Sequence, residues 1–235
     1  MCNQRISTPI AGAIVLAALS ASGTTLAGER EYEWITDPVQ LEARGFNPDG
    51  PPLRRLVPAS DTRSKEERLA ERRAREQRAG SAEVGGPGVN WATVQASDFR
   101  FLSESALYNT GGNYYLSIEP GTPNRFADAP ILLKDDRRLM YLDVWTHDTN
   151  PARGVDVALY EVCQPPFTGA AAEVTELAMV EGGSESGGNA FNWATIPVTY
   201  VDNRVCVYYV RAMFSIPVDY GDDVRLQKVR VYWNG

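Results

Sequence analysis

Histidine is almost missing from this chain: His147 is the only one among 235 residues. Ser-His-Asp and Cys-His chemistry needs an imidazole as base near neutral pH, so such a site has one place to be. Cysteine is nearly as scarce, with three residues. Two separated cysteines and one histidine lack the ligand spacing of a zinc site. Positive charge is in deficit: 23 Lys and Arg stand against 30 Asp and Glu, a net charge of −7. That balance disfavours nucleic acid and anionic membrane surfaces as partners. A nucleophile elbow is absent too. In "GGSESGG", Ser184 has Ser186 where Gly-x-Ser-x-Gly requires glycine, and a flexible hairpin loop is the expectation there.

Long apolar runs are also lacking. The most apolar segment, Ile10 to Ala21, is too short to span a bilayer comfortably. Arg5 precedes it, and Thr25 and Ala27 place small residues at −3 and −1 of a cleavage site. Residues 1–27 therefore read as a secretory signal peptide, and the mature protein as secreted or periplasmic without stable membrane insertion. Glu29 occupies the place where a lipoprotein box needs cysteine, which argues against lipid attachment. Cleavage removes Cys2 and leaves Cys163 and Cys206. An even pair in an exported chain favours a disulfide over two buried free thiols. The bond would close a loop of about 44 residues and contribute roughly 4 kcal/mol.

Residues 28–87 are rich in Arg, Glu and Pro and read as a flexible, partly helical extension. Asp37, Pro38 and Gly45 have the pattern of N-cap, N1 and C′ of a short helix. "NPDGPPLRRLVPAS" reads as a turn-rich linker. "SKEERLAERRAREQRAG" opens with a capping box but has little to bury, which suits a solvated spacer helix. Residues 88–235 carry the strand pattern. Tyr114–Ile118, Ile131–Lys134, Leu139–Thr146, Val155–Cys163, Glu173–Val180, Thr195–Val201, Arg204–Ser215 and Val224–Trp233 are expected strands, bounded by turn residues. About eight strands without helical pattern between them predict an all-β antiparallel sandwich of jelly-roll type. Glu173–Val180 could instead be a short helix.

Alternation assigns faces. Cys206, Tyr208, Val210, Ala212 and Phe214 share one face, and Arg211 marks the opposite face as the wetter one. Cys163 shares its face with Val155, Val157 and Leu159, so both cysteines point inward and a bond between the two sheets is expected. The last strand changes phase: Val224 and Leu226 have one parity, Val229, Val231 and Trp233 the other. A bulge near Gln227 reconciles them.

The strand and turn pattern of "FADAPILLKDDRRLMYLDVWTHDTNPARGVDVALYEV", "VDNRVCVYYVRAMF" and "LQKVRVYW" resembles an uncharacterised β-sandwich domain that recurs in hypothetical secreted bacterial proteins. The resemblance covers roughly residues 98–233. It implies a fold and an exported setting, and no activity, cofactor or site residue.

Candidate functional residues are few. Trp145 and Trp193 are the aromatic side chains best placed to stack on a sugar or a partner protein, with Trp193 expected in a loop. Asp219, Asp222 and Asp223 in "DYGDD" offer oxygens for calcium, without the EF-hand spacing. Trp145 is expected to close one strand, and His147 to Gly154 to form a connecting turn in which Asp148 and Asn150 bond the backbone. The leading functional expectation is a non-enzymatic binding or interaction module of the bacterial envelope or medium, taking carbohydrate or an envelope protein. The alternative is a secreted polysaccharide hydrolase with paired carboxylates, a pair that would meet only in space.

Overall fold

The computed structural model describes residues 31–57, 70, 89–102, 108–109, 115–118, 125–150, 154–164, 171–182, 188–215 and 223–234. The proposed signal peptide, the charged helix after Ser64 and the centre of "GGSESGG" lie outside these residues. Along the chain the elements are β1 (Tyr32–Ile35), α1 (Pro38–Ala43), β2 (Leu53–Leu56), β3 (Val89–Gln95), a 3-10 turn (Ala96–Asp98), β4 (Arg100–Phe101), β5 (Tyr108–Asn109), β6 (Ser117–Ile118), β7 (Phe126–Pro130), β8 (Arg138–Asp148), β9 (Val155–Cys163), β10 (Glu173–Val180), β11 (Gly188–Tyr200), β12 (Cys206–Phe214) and β13 (Val224–Asn234).

They build the all-β sandwich that the strand spacing predicts. One sheet has seven strands in the order β1-β2-β10-β9-β12-β7-β4, and the other has four in the order β11-β8-β13-β3. Every described pairing is antiparallel except β2 with β10. Inward residues of both sheets form one core, including Leu142 and Val144 of β8, Val157 and Leu159 of β9, Val210 and Phe214 of β12, and Val229 and Val231 of β13. Alternating apolar residues along each strand supply that core, and among the described residues no helix lies between the sheets.

The seven-stranded sheet is buried on its outer side as well. Ile35, Leu41 and Leu53 from residues 31–57 pack with Ala158, Tyr160 and Met213 in a second cluster. Helix α1 forms as its caps require. The Asp37 side chain accepts from the Val39 amide at 2.9 Å. At the other end, the Phe46 amide donates to Leu41 O and the Gly45 amide to Glu42 O, a Schellman closure. Gly45 has φ +75°, and a Cβ there would stand 2.8 Å from the Phe126 ring. Two demands therefore meet at this glycine: a left-handed backbone and close approach of the cap to β7.

Several local expectations change. Residues 53–56, inside the stretch read as a linker, form β2, because Arg54 and Arg55 find partners on β10 that no local pattern reveals. Arg211 does not mark a wet face. It is 6 % exposed, held by Asp128 at 2.7 Å and by the carbonyls of Arg44 and Gly45 beneath α1. The strand expected at Ile131–Lys134 lies earlier, at β7. There β4 pairs only with Ala127 and Asp128, so Pro130, with no N–H to give, has no flanking strand on that side. Segment Glu173–Val180 is the strand expected, not the alternative short helix. The phase change in β13 is a register shift between Leu226 and Lys228.

Cys163 and Cys206 are bonded, as the even count favours. The bond joins neighbouring strands of one sheet, not the two sheets, because the cysteines are register partners on β9 and β12. Parity placed both on the inner face; only pairing register could show that they face each other along it.

Candidate functional site

The outer face of the four-stranded sheet carries a grid of side chains that the register sets in rows. Tyr232 of β13 lies between Trp91 of β3 and Tyr141 of β8, with Thr195 of β11 beyond. In the next row Thr93, Arg230, Asp143 and Trp193 follow one another across the four strands. The third row is Gln95, Lys228, Trp145 and Phe191. Arg225, His147 and Asn189 make the fourth. The bulge at Gln227 brings Arg225 into phase with Lys228, Arg230 and Tyr232. A regular strand would turn Arg225 to the opposite face from Lys228.

Six aromatic rings stand on this face, all half-buried: Trp91, Tyr141, Trp145, Phe191, Trp193 and Tyr232. They touch in pairs across strands. Trp145 and Phe191 have centroids 4.9 Å apart, Tyr141 meets Trp193 edge-on at 5.8 Å, and Trp91 and Tyr232 are 6.0 Å apart. Such pairs are worth about 0.5–1.5 kcal/mol beyond their burial and hold the rings in fixed orientation.

Cations of β13 interleave the rings. The Lys228 ammonium lies 4.6 Å from the Trp145 centroid. The Arg230 guanidinium sits 5.2 Å from Trp145 and 5.7 Å from Trp91. Arg225 lies over Tyr115 at 4.5 Å. Desolvation by the surrounding rings, and then the neighbouring Arg230, push the Lys228 ammonium below its ordinary range. Arg230 Nε is buried without a hydrogen-bond partner.

At one end of the grid, Gln227 Nε2 donates to Asn189 Oδ1 at 3.0 Å, and His147 Nδ1 is 3.1 Å from the same oxygen. A carbonyl oxygen accepts from both if the His147 proton is on Nδ1. At the other side, beside Trp193, a cleft of about 330 Å³ opens against Met179, Val180, Glu181 and Asn192.

The structure thus brings Trp145 and Trp193 onto one face, on neighbouring strands and adjoining rows. Trp193 is in mid-strand, not in a loop, because β11 extends back to Gly188. Trp145 does not end its strand either; β8 continues through His147 to Asp148. The expected turn chemistry starts there: Asp148 Oδ1 accepts from the Asn150 amide at 2.8 Å. Burial raises the Asp148 carboxyl, and the Asn150 hydrogen bond opposes that shift. Of the calcium candidates, Asp219 and Asp222 lie outside the described residues. Asp223 is exposed, and its carbonyl accepts from the Thr149 amide at 2.9 Å.

Sequence reasoning missed Trp91, Tyr141, Phe191, Lys228, Arg230 and Tyr232 as members of one surface. A signal was present for β13. Once a bulge is placed at Gln227 and Val229, Val231 and Trp233 are turned inward, Lys228, Arg230 and Tyr232 must face out.

Other clusters of charge have structural employment. Glu176 is 2 % exposed and accepts from Arg44 at 2.9 Å, Arg55 at 2.7 Å and the Tyr160 hydroxyl at 3.1 Å. Burial pushes its carboxyl up against the pull of Arg55 and Tyr160. Burial, and then Glu176, hold the Tyr160 phenol well above its usual range. These groups lie under the covering segment. Glu161 and the sulfurs of Cys163 and Cys206 fall within 4.8 Å of one another, but the sulfurs are bonded to each other and offer no thiolate.

No protein-family model matches the chain, and no curated protein matches it by sequence. Among solved structures, it is similar to the C-terminal CBM6 of a marine laminarinase from Zobellia galactanivorans, with 9 % identity and a TM-score of 0.37, over 60 % of this chain and 98 % of that one. A carbohydrate-binding module of Cellvibrio mixtus lichenase 5A in complex with cellotriose gives 14 % identity and 0.34, over 60 % and 95 %. The Tobacco streak virus coat protein dimer gives 9 % identity and 0.27, over 66 % and 89 %. All three TM-scores lie below 0.5, so the likeness assigns neither family nor ligand.

Proposed function

We propose that this protein is an exported, non-enzymatic module that binds a glycan chain on the outer face of its four-stranded sheet. One observation carries the reading: six aromatic rings stand on a single half-buried sheet face, held in rows by strand register. Sugar rings present C–H faces that stack on aromatic faces, while their hydroxyls need nearby donors and acceptors. Asn189, Gln227, His147, Thr93 and Thr195 border the rings on the same rows or beside them. The Cys163–Cys206 disulfide and the signal-like N-terminus support export. Among the described residues no helix is long and apolar enough to cross a membrane.

Tryptophan fluorescence reports on this face directly. Titration of the mature protein with soluble polysaccharides should shift the emission, and Trp145→Ala should weaken binding by about tenfold, a loss of about 1.4 kcal/mol. Undiminished binding by folded Trp145→Ala and Trp193→Ala variants would remove the face from consideration.

A further inference from the structure

We infer that the glycan taken by this face is acidic, with carboxylate or sulfate groups on its sugars laid along β13. The inference rests on the glycan-binding reading and names the ligand class. Its basis is the position of charge within the grid. Arg225, Lys228 and Arg230 run down β13, an inner strand of the sheet, with aromatic residues on the strands to either side. Lys228 and Arg230, two residues apart on one strand, are spaced about 6.7 Å along it.

The cations also cover the stacking surfaces. Lys228 lies 4.6 Å from the centre of the Trp145 ring, and Arg230 is shared between Trp145 and Trp91. A neutral sugar reaching these rings must displace an ammonium from a ring it already satisfies. A sugar bearing an anion meets the ammonium and guanidinium first and packs its ring beside them.

The remaining polar capacity points the same way. Asp143, the register neighbour of Arg230, is the one described carboxylate in the rows of the grid, set against the three cations Arg225, Lys228 and Arg230. Arg230 also keeps a buried Nε without a hydrogen-bond partner. In a chain of net charge −7, a cationic strip set among rings is a local reversal of sign, and charge complementarity selects an anionic occupant. A single-stranded nucleic acid also combines anions with stacking rings. The disulfide suits an oxidising compartment outside the cytoplasm, which favours a glycan over a nucleic acid.

The test is isothermal titration of the mature full-length protein with polygalacturonate and with its carboxyl-reduced form, which keeps the backbone and loses the charge. Dextran sulfate against dextran is the parallel arm for sulfate. The acidic member of at least one pair should bind about tenfold or more tightly than its neutral counterpart. That preference should shrink as salt rises and disappear in Lys228→Gln/Arg230→Gln. Whichever arm shows it distinguishes carboxylate from sulfate. Equal or tighter binding of the neutral member in both pairs would overturn the inference and leave the glycan-binding reading standing. So would tighter binding of an oligothymidine than of either acidic glycan. If no glycan of either charge binds to protein with native near-UV circular dichroism, both readings fall. The salt series on the unmodified protein decides the matter if the double variant does not fold.

Discussion

The two outer faces of this sandwich use the same residue types to opposite ends. On the seven-stranded sheet, Arg44, Arg55, Glu176, Tyr160, Arg211 and Asp128 are tied together beneath or beside a covering segment, each with a named partner. On the four-stranded sheet, Lys228 and Arg230 lie against aromatic rings, with no covering strand or helix among the described residues. The first face is closed because burying ion pairs requires every charge to be matched. The second is half-buried, with cations whose contacts are ring faces. An arginine on a strand therefore says little by itself: Arg211 has all three guanidinium nitrogens bonded, whereas Arg230 keeps its Nε without a partner.

The comparison breaks most visibly at Glu176. Glu176→Ala leaves Arg44 and Arg55 facing a buried vacancy, and a loss of about 3–5 kcal/mol in unfolding free energy is expected by denaturant titration. Glycan binding by whatever folds should be unchanged. A destabilisation below 1 kcal/mol would show that the covering segment is not held by this cluster.

Next in size is the disulfide. Its removal in Cys163→Ala/Cys206→Ala frees a loop spanning 43 positions and should cost roughly 4 kcal/mol or somewhat less, measured the same way. Affinity at the other sheet should again stay put.

The open face should respond in reverse. Trp145→Ala removes one aromatic pair and should cost only about 1 kcal/mol of stability. Its affinity loss should be proportionally larger than that of any substitution on the closed face. Comparable stability losses for Trp145→Ala and Glu176→Ala would erase the distinction between the faces.

The effect confined to the narrowest conditions is alkaline. Burial raises the Tyr209 phenol to about 12, against the opposing pull of Arg211. Free tyrosine titrates near about 10. A phenol whose folded value is raised contributes stability that is complete below the unfolded value and lost as pH rises through the folded one. Between about pH 10 and 12, stability should therefore decline, and phenolate absorbance should show a late fraction appearing with unfolding. Complete ionisation of the tyrosines near pH 10 in folded protein would contradict the closed environment.

The strands from β8 onward except the first half of β11, the capped helix at Asp37 and the bulge at Gln227 were legible, because each is written in local spacing. The disulfide followed from parity of cysteines, whereas its position within one sheet required a register that alternation does not encode. β2 was not legible. Its partners are 121 residues away, and "LRRL" between prolines has the look of a linker until Thr175 and Glu176 are beside it. Arg211 misled for the same reason: a buried arginine is recognisable only with Asp128 in place. Of the candidate site, the two tryptophans were visible singly. The surface they share was not, since it is assembled from four strands whose order, β11-β8-β13-β3, is not the order of the chain.

The parallel pairing of β2 with β10 also has a consequence in time. Arg55 and Glu176 are separated by 121 residues, and at about 5–20 residues per second a ribosome makes β2 some 6–24 s before its partner. Through that interval Leu53 and Leu56 have no β10 to lie against. In refolding, hydrogen-exchange protection of β2 should accordingly arrive after that of the β9–β10 hairpin, whose register partners Cys163 and Glu173 are close in the chain.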